Sequence, residues 1–377
     1  MKERFEHRRL MGLIALTLSD KTKWSKDKAL LCKEIKDIMA TFANEGYILT
    51  LRQLYYQLVA ADAIRNDDVV YKKMSGILDD LRYSGAVDWT AIEDRGRVPY
   101  IPWFTDSVES AIGTIVRQYR LDRQIGQPCH VEVWTEKDAI SGILKRVTSE
   151  YQIQLVVNKG YSSSSAMHNA YTRFAEMLNS GKNVKILYFG DHDPSGLDML
   201  RDIRERILFF IANGDQVNDP ECEDPDWDFY IKYLNDNGLD DYDMVEQGLM
   251  SEAAMKDKFG GREIYGDAFI SAAKTHYWAT RFEVVPIGLT MEQIKKYNPP
   301  PNPAKMSDPR AEWYIRKFGN ISWEVDALPP NVMANIVTEN IEANLDLEIY
   351  EGVKQLEWQH IQQLKQFQKL SRKGGEK

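Results

Sequence analysis

Three acidic residues in the middle of the chain follow short apolar runs that are typical of buried β-strands. The run at 131–134 ends just before Glu136, and the run at 186–189 ends just before Asp191 and Asp193. Ligands of open α/β sheets bind beyond the carboxyl ends of the strands, where these acids are expected to meet. Three carboxylates with no basic neighbour repel one another unless a cation lies between them, and hard oxygen ligands suit Mg²⁺. The spacing therefore predicts a magnesium site.

The same acids have a simpler interpretation. Asp191 and Asp193 are followed by Pro-Ser-Gly at 194–196, which favours a tight acidic turn or a helix cap. A second loop, Asn-Lys-Gly-Tyr followed by four serines at 158–165, offers backbone donors and one cation near the predicted acidic edge. That cation, Lys159, is a candidate DNA contact, and an ordinary loop lysine is the alternative.

A candidate nucleophile lies nearer the amino terminus, in a sequence with helical spacing. Thr50 followed by Gln53 matches a capping box, which predicts a helix that begins there. At about 100° per residue, an apolar stripe that includes Tyr55 faces the core, whereas Tyr56 points away from it, on the same side as Arg52. A tyrosine hydroxyl can attack a phosphodiester if a cation stabilises the developing charge. Tyr56 is therefore the candidate nucleophile, with Arg52 as its electrostatic partner.

Strand-like and helix-like patterns alternate around the acids. From residue 130 to 200 the order is strand, helix, strand, helix, strand, helix, and another strand pattern lies at 283–290. This order predicts an α/β fold with a mainly parallel sheet. Before it, two helical patterns precede a short hairpin pattern whose tip carries Arg95 and Arg97. Two helices and a basic-tipped hairpin form a winged-helix layout, in which both arginines are candidate phosphate contacts. An ordinary surface turn of a soluble protein is the alternative.

Three motifs resemble the A subunit of topoisomerase VI and its relatives, the meiotic double-strand-break proteins. TEKDAI, which contains Glu136, and GDHDPSGLDM, which contains Asp191 and Asp193, are similar to the Toprim domain of that family. LRQLYYQL is similar to the family's Arg-x-x-Tyr-Tyr motif, whose second tyrosine is the nucleophile. The resemblance implies that Tyr56 attacks DNA and that the three acids hold Mg²⁺ beside the scissile phosphate.

The resemblance covers most of residues 48–200 and a patch near 283–328. In that patch, the sequence Glu-Val-Asp-Ala-Leu at 324–328 resembles the family's Glu-Ile-Gln-Ala-Leu motif. This chain has Asp326 where the family has glutamine. The departure weakens any role assigned to that position.

The resemblance also implies the architecture. We expect an amino-terminal helical extension at 1–45, and then a winged-helix (CAP-like) domain that carries the tyrosine at 46–123. A Toprim domain with a mainly parallel sheet is expected at 130–330 and a helical C-terminal extension at 331–377. The apolar spacing between 332 and 370 predicts one long helix that packs on the sheet or on a second protomer.

The implied activity is magnesium-dependent cleavage of double-stranded DNA by tyrosine transesterification, of the type IIB topoisomerase A-subunit kind, through a 5′-phosphotyrosyl link. In that family the tyrosine of one protomer works at the metal site of another, which implies a homodimer. No ATP-binding motif occurs in the chain. Either complete strand passage needs a separate B-type ATPase subunit, or it does not take place.

The net charge of −9 at first argues against a nucleic-acid partner, because phosphate contacts need Lys and Arg. The charge is unevenly distributed. Residues 201–260 contain six Lys or Arg and 16 Asp or Glu, a balance of −10, so the other residues sum to about +1. Most of this acidity lies in a predicted insertion at about 211–262. A basic surface elsewhere is compatible with the acidic total.

Composition also bounds the location of the protein. No apolar run approaches the ~20 residues that span a bilayer, and the first residues lack the apolar stretch of a signal peptide. The three cysteines, Cys32, Cys129 and Cys222, are too far apart to indicate a disulfide framework or a zinc site. We therefore expect a soluble protein of the cytoplasm or nucleoid.

Two other functions remain open on the sequence. A Toprim endonuclease would use the same acids and a metal-activated water, with Tyr56 incidental. A non-catalytic DNA-binding protein would keep the fold with a vestigial site. The products formed from DNA distinguish the three hypotheses.

Overall fold

The computed structural model describes residues 26–83, 86–88, 91–92, 102–214, 216–217, 227–239, 263–304, 306, 308 and 310–374. The first helices are α1 (Lys26–Asn44), α2 (Leu51–Ala60), α3 (Asp68–Tyr83) and α4 (Val108–Gln118). The central elements are β1 (Cys129–Thr135), α5 (Ser141–Tyr151), β2 (Gln154–Val157), α6 (Ser164–Asn179), β3 (Asn183–Phe189), α7 (Pro194–Asn213), α8 (Trp227–Asp236), α9 (Glu263–Ala279) and β4 (Phe282–Gly288). The last elements are α10 (Met291–Tyr297), β5 (Asn302–Pro303), α11 (Ala311–Phe318), β6 (Ile321–Ser322), α12 (Pro330–Glu342) and α13 (Leu347–Gly374).

The strands β1 to β4 form one parallel sheet in the order β2-β1-β3-β4. Val133 of β1 lies between Leu155 of β2 and Leu187 of β3. The strands are apolar on both faces because helices cover both faces: α5 and α12 pack on one, and α6 and α7 on the other. The predicted α/β fold and its alternation of strand and helix are confirmed, and the strand pattern at 283–290 corresponds to β4.

One buried charge lies inside β1. Glu132 is 0% exposed. Arg173 of α6 donates to both carboxylate oxygens, from Nε to Oε1 at 3.0 Å and from Nη2 to Oε2 at 3.1 Å. Trp134 Nε1 donates to Oε2 at 2.8 Å. Although burial opposes it, hydrogen bonds from His130, Arg173 and Trp134 lower the pKa of Glu132, so the buried side chain is charged and fully paired.

Helices α1, α2 and α3 pack around their own apolar cluster. The predicted capping box is confirmed, since Thr50 Oγ1 accepts from the N–H of Gln53 and the Gln53 side chain accepts from the N–H of Thr50. After α3, Ile92 makes a parallel bridge to Leu49. The predicted hairpin tip, with Arg95 and Arg97, lies outside the described residues.

The predicted C-terminal tail is helical, but it is divided into two helices instead of forming a single one. Two helices, α12 and α13, are separated by a break that Gln127 holds in place: its side chain donates to the carbonyl of Asp346 at 2.8 Å and accepts from the N–H of Asp346 at 2.7 Å. The Asp346 side chain then caps α13 by accepting from the N–H groups of Glu348 and Ile349. Helix α12 packs on the sheet. Within the described ranges, none of the helices combines the length and apolarity that a bilayer span requires.

Candidate active site at the carboxyl edge of the sheet

The three predicted acids lie at the point where the order of the strands changes direction across the sheet. From β1 the chain crosses to β2 and then returns to β3 on the other side of β1. This reversal opens a crevice between the carboxyl ends of β1 and β3, the usual ligand position in such sheets. Glu136 follows β1, whereas Asp191 and Asp193 follow β3. The N–H of Asp191 donates to the Glu136 carboxylate, so the two loops are in direct contact.

Asp193 caps a helix, which is the structural alternative to a metal ligand that the sequence Pro-Ser-Gly at 194–196 favours. It is the N-cap of α7, and its Oδ1 accepts from the N–H of Gly196 at 2.6 Å, with Pro194 in the first turn. The preceding residue, His192, exchanges two backbone hydrogen bonds with Trp323, at 2.9 and 3.1 Å. The acidic loop is therefore held by the cap on one side and by segment 321–323 on the other.

Gly196 leaves no room for a side chain in this loop. A Cβ atom there would lie 2.4 Å from the Asp191 carbonyl oxygen, a backbone atom that cannot rotate away. We expect Gly196→Ala to lower the free energy of unfolding by about 1–3 kcal/mol, because the loop has to shift. The matched control is Gly352→Ala in α13, where a Cβ would meet nothing within 4 Å and helix propensity favours alanine. Urea unfolding of both variants measures the difference, and equal stabilities would contradict the tight loop.

The acids have a basic neighbour that the sequence analysis does not foresee. Lys137 Nζ lies 2.7 Å from Asp191 Oδ2, 2.9 Å from Glu324 Oε2 and 3.4 Å from Asp326 Oδ1. The other oxygen of Asp191, Oδ1, accepts from the N–H of Val325 at 2.8 Å. The premise that these acids lack a basic partner is therefore wrong, because segment 324–326 returns to the edge and, together with Asp191, surrounds Lys137.

Burial and neighbouring positive charges shift the pKa values of the acids in opposite directions. Burial, together with Asp326, Glu136 and Glu324, raises the pKa of Asp191 to about 8 against the opposing charge of Lys137. Burial also raises the pKa of Glu136, assisted by Asp193 and opposed by Lys137. Glu324 differs: although burial opposes it, Lys137 and Arg52 lower its pKa to about 2. Glu324 is therefore ionised at neutral pH.

The lowered pKa of Glu324 predicts a pH dependence of stability. Its value of about 2 in the folded protein lies below the ordinary 4.5, so its contribution is fully present above pH 4.5 and is lost as the pH falls through 2. A shift of this size contributes at most on the order of 3 kcal/mol. We expect the free energy of unfolding to fall more steeply over this range in the wild type than in Glu324→Gln. Urea titrations at a series of pH values measure both slopes, and parallel curves would contradict the pairing.

Tyr56 is buried, contrary to the prediction that it faces outward. It is 5% exposed. By helical angle, Tyr56 lies outside the apolar stripe of α2 that faces α1 and α3. The opposite side of α2 is also covered by other residues. The turn Val325–Ala327 packs there, and Ala327 joins the apolar cluster of Tyr55 and Tyr56. The side chain of Asn302 is hydrogen-bonded to Tyr56. The prediction that Tyr55 is a core aromatic is confirmed.

Arg52 lies beside Tyr56 and joins α2 to the acids. Its guanidinium carbon is 5.9 Å from the centroid of the Tyr56 ring. The guanidinium pairs with Glu324, and its Nε lies 2.8 Å from Asp326 Oδ2. Burial raises the pKa of Tyr56, and Glu324 and Asp326 raise it further against the opposing effects of Arg52 and Asn302. The phenol is therefore neutral in this arrangement.

Asp326 is more important to the site than the sequence suggests. The substitution of aspartate for the family's glutamine weakens its assigned role, yet Asp326 is 0% exposed and contacts both Arg52 and Lys137. The signal in the sequence is the charge itself, because a buried aspartate needs cationic partners. Lys137, next to Glu136, was equally visible in the sequence.

The candidate DNA contacts are only partly described. Lys159 is in the loop after β2 with a positive φ of 49°, and its side chain is 68% exposed. Its Nζ is 3.5 Å from Asp138 Oδ2, a weak surface pairing. The neighbouring Tyr161 hydroxyl donates to Asp198 of α7 at 2.6 Å, which fixes the loop near the acidic edge. A DNA contact by Lys159 stays a prediction.

The acids, as placed, do not fit a shared magnesium ion. Among the described residues, no three side chains of His, Cys, Asp or Glu are arranged to hold a metal together. Both oxygens of Asp191 bond to protein groups, and Asp193 uses one oxygen for the cap. The role of Glu136, Asp191 and Asp193 as Mg²⁺ ligands therefore stays a prediction.

Comparison of the chain with protein-family models, with curated proteins and with solved structures finds no match in any of the three. The grounds on which a function can be proposed are therefore the motifs described in the sequence and the geometry and chemistry of the site. The described edge offers a buried tyrosine, two cations and five carboxylates, which are contributed by α2, by the loops after β1 and β3, and by segment 324–326.

Proposed function

We propose that the chain is a DNA-cleaving transesterase of the topoisomerase VI A-subunit type, with a winged-helix fold around α2 and α3 and a Toprim fold around the parallel sheet. One observation carries the proposal: the tyrosine helix lies against the acidic edge. Arg52 and Lys137 contact the same oxygen of Glu324, and Lys137 also pairs with Asp191. Tyr56 is thus one turn away from a network that reaches the sheet.

In the proposed reaction, Tyr56 Oη attacks a DNA phosphorus and the bond from phosphorus to O3′ breaks. The phenolic proton ends on the departing 3′ oxygen, so the atoms balance without water or a co-reactant. A 5′-phosphotyrosyl link conserves the phosphate ester. Arg52 is placed to stabilise charge on the phosphoryl oxygens once it exchanges Glu324 for the phosphate. Tyr56 first has to separate from Asn302 and the covering turn.

Magnesium is part of the proposal through the family resemblance and through the presence of Glu136, Asp191 and Asp193 at one edge. Bound there, the ion would supply positive charge beside the scissile phosphate. Because Asp191 is turned towards Lys137, the acids have to rearrange before they can hold an ion together.

The proposed partners follow from the same family. The substrate is double-stranded DNA, a homodimer cuts both strands, and a separate B-type ATPase subunit is needed for strand passage. In this structure Tyr56 lies beside the acidic edge of its own chain, so the family's action on the partner's metal site would require the tyrosine helix to leave that edge. Among the described residues, Lys159 is the proposed backbone contact outside the tyrosine helix. The proposed location is the cytoplasm or nucleoid.

A metal-dependent nuclease that uses water is the second candidate, and the burial of Tyr56 favours it. The phenol is 5% exposed and its pKa is raised, so the structure holds it in an unreactive state. A water nucleophile would avoid the need to release it. A non-catalytic DNA-binding protein is the third candidate, supported by the pairing of Lys137 with the acids.

Incubation with supercoiled DNA and Mg²⁺, stopped with denaturant, distinguishes these functions. The transesterase is expected to yield broken DNA with protein on its 5′ ends, and Glu136→Ala is expected to lose this product. Free ends would favour the nuclease. Magnesium-independent binding without cleavage, with or without an ATPase partner, would favour the non-catalytic function.

A further inference from the structure

Lys137 occupies the centre of a cluster of carboxylates. Its ammonium group lies within 3.4 Å of oxygens from Asp191, Glu324 and Asp326, and its side chain is only 14% exposed. Asp191 and Asp326 are buried, so each of them can be charged only beside a positive group. Each buried carboxylate needs a positive partner, and Lys137 is the one cation among the described residues that contacts all three.

The cluster has the donor set of a divalent-cation site but contains an amine. Three carboxylates from two separate segments contact one ammonium group, and with that group in place they form no metal site among the described residues. Their distances of 2.7, 2.9 and 3.4 Å are those of an ammonium group that donates hydrogen bonds, and Mg²⁺ contacts would be about 2.0–2.1 Å. The positive charge at this position thus comes from a side chain of the protein, whereas in a divalent-cation site it comes from a metal ion bound from solution.

We propose that Lys137 is an internal cation that takes the place of a divalent ion between Asp191, Glu324 and Asp326, and that it positions these three carboxylates. Removing the ammonium group leaves three carboxylates around a vacated position, with the single charge of Arg52 shared between Glu324 and Asp326. A divalent ion is then expected to bind where the ammonium group was.

An ordinary structural ion pair makes a different prediction. If Lys137 only fastened the loop after β1 to segment 324–326, its loss would weaken the fold in every buffer. Divalent ions would then have no specific position to fill. The dependence of stability on divalent ions therefore separates a positioning cation from a structural contact, and it requires neither DNA nor cleavage.

The experiment compares the full-length wild type with Lys137→Met, Lys137→Arg and a control, Lys159→Met, whose exposed lysine is weakly paired. Thermal unfolding is followed with EDTA and with millimolar MgCl₂, CaCl₂ or MnCl₂. We expect Lys137→Met to have a lower Tm than the wild type in EDTA. Divalent ions are expected to raise its Tm by at least about 5 °C more than they raise that of the wild type. Lys137→Arg and Lys159→Met are expected to respond as the wild type does.

Electron paramagnetic resonance of bound Mn²⁺ gives the second readout, with one more ion per chain expected in Lys137→Met than in the wild type. If Lys137→Met does not fold in EDTA, refolding in each divalent ion replaces the Tm comparison, and recovery supports the proposal. An equal response of all variants, no additional Mn²⁺, or failure to refold with every ion would overturn it. If the protein does not cleave DNA, the Tm and Mn²⁺ readouts are unaffected. Failure of the proposed function can therefore be distinguished from failure of the proposal for Lys137.

Discussion

Tyr56→Phe is expected to abolish the protein–DNA adduct while leaving the fold intact. The buried ring is kept, so the substitution removes only the hydroxyl and its hydrogen bond with Asn302. The lost hydrogen bond costs about 1 kcal/mol of stability. The lost nucleophile removes the reaction itself, and in other covalent enzymes such a change costs on the order of 10⁶-fold in rate. The measurement is the fraction of end-labelled DNA that stays with protein after a denaturing quench.

Tyr55→Phe is the matched control for this prediction. The neighbouring phenol is also buried, and its oxygen accepts from the N–H of Asp67 at 2.7 Å, so its removal costs a comparable amount of stability. Its hydroxyl bonds to residues 65–67, and its removal is expected to leave adduct formation unchanged. Adduct that persists in Tyr56→Phe, or that is lost equally in both variants, would contradict the assignment.

Arg173→Met is expected to have the largest effect on stability. It leaves Glu132 buried at 0% exposure in the central strand without the guanidinium that contacts both of its oxygens. An uncompensated buried charge of this kind costs about 3–5 kcal/mol. The hydrogen bonds from Trp134 and His130 remain, but they do not replace the guanidinium contacts to both oxygens. Urea unfolding near pH 7 measures the loss.

Two further variants distinguish charge from lost packing. Arg201→Met removes an arginine that pairs with Asp198 and Glu205 on the surface, and it is expected to change stability by less than about 1 kcal/mol. The double variant Glu132→Leu/Arg173→Met removes both buried charges and is expected to recover most of the loss. A double variant as unstable as Arg173→Met would indicate packing rather than charge.

The sheet could be predicted because its signals are local. Apolar runs at 131–134 and 186–189 end at polar residues, and their alternation with helical patterns determines a parallel sheet. The meeting of Glu136 and Asp191 at one edge follows from that topology, because both strands end there. The capping box at Thr50 was predictable for the same reason, since all its hydrogen bonds lie within one turn.

The environment of the candidate site could not be predicted because it depends on segments that are distant in sequence. Helical angles give the position of Tyr56 relative to its own helix, but they contain nothing about the turn at 325–327 that covers it. The charge of Lys137 was visible, whereas its partners Glu324 and Asp326 depend on where a later segment returns to the sheet. The family motif has glutamine at the position of Asp326, so a comparison with that motif underestimates the role of the aspartate in the site.

Identification of the DNA-linked amino acid tests the central claim most directly. After cleavage of DNA, denaturation and digestion with nuclease and trypsin, mass spectrometry is used to find the peptide that carries the nucleotide. Trypsin cuts after Arg52 and Arg65, so peptide 53–65 contains Tyr55 and Tyr56 and no other tyrosine. We predict that fragment ions place a 5′-phosphate ester on Tyr56. An adduct on any other residue, or cleaved DNA with no adduct, would contradict the proposed chemistry.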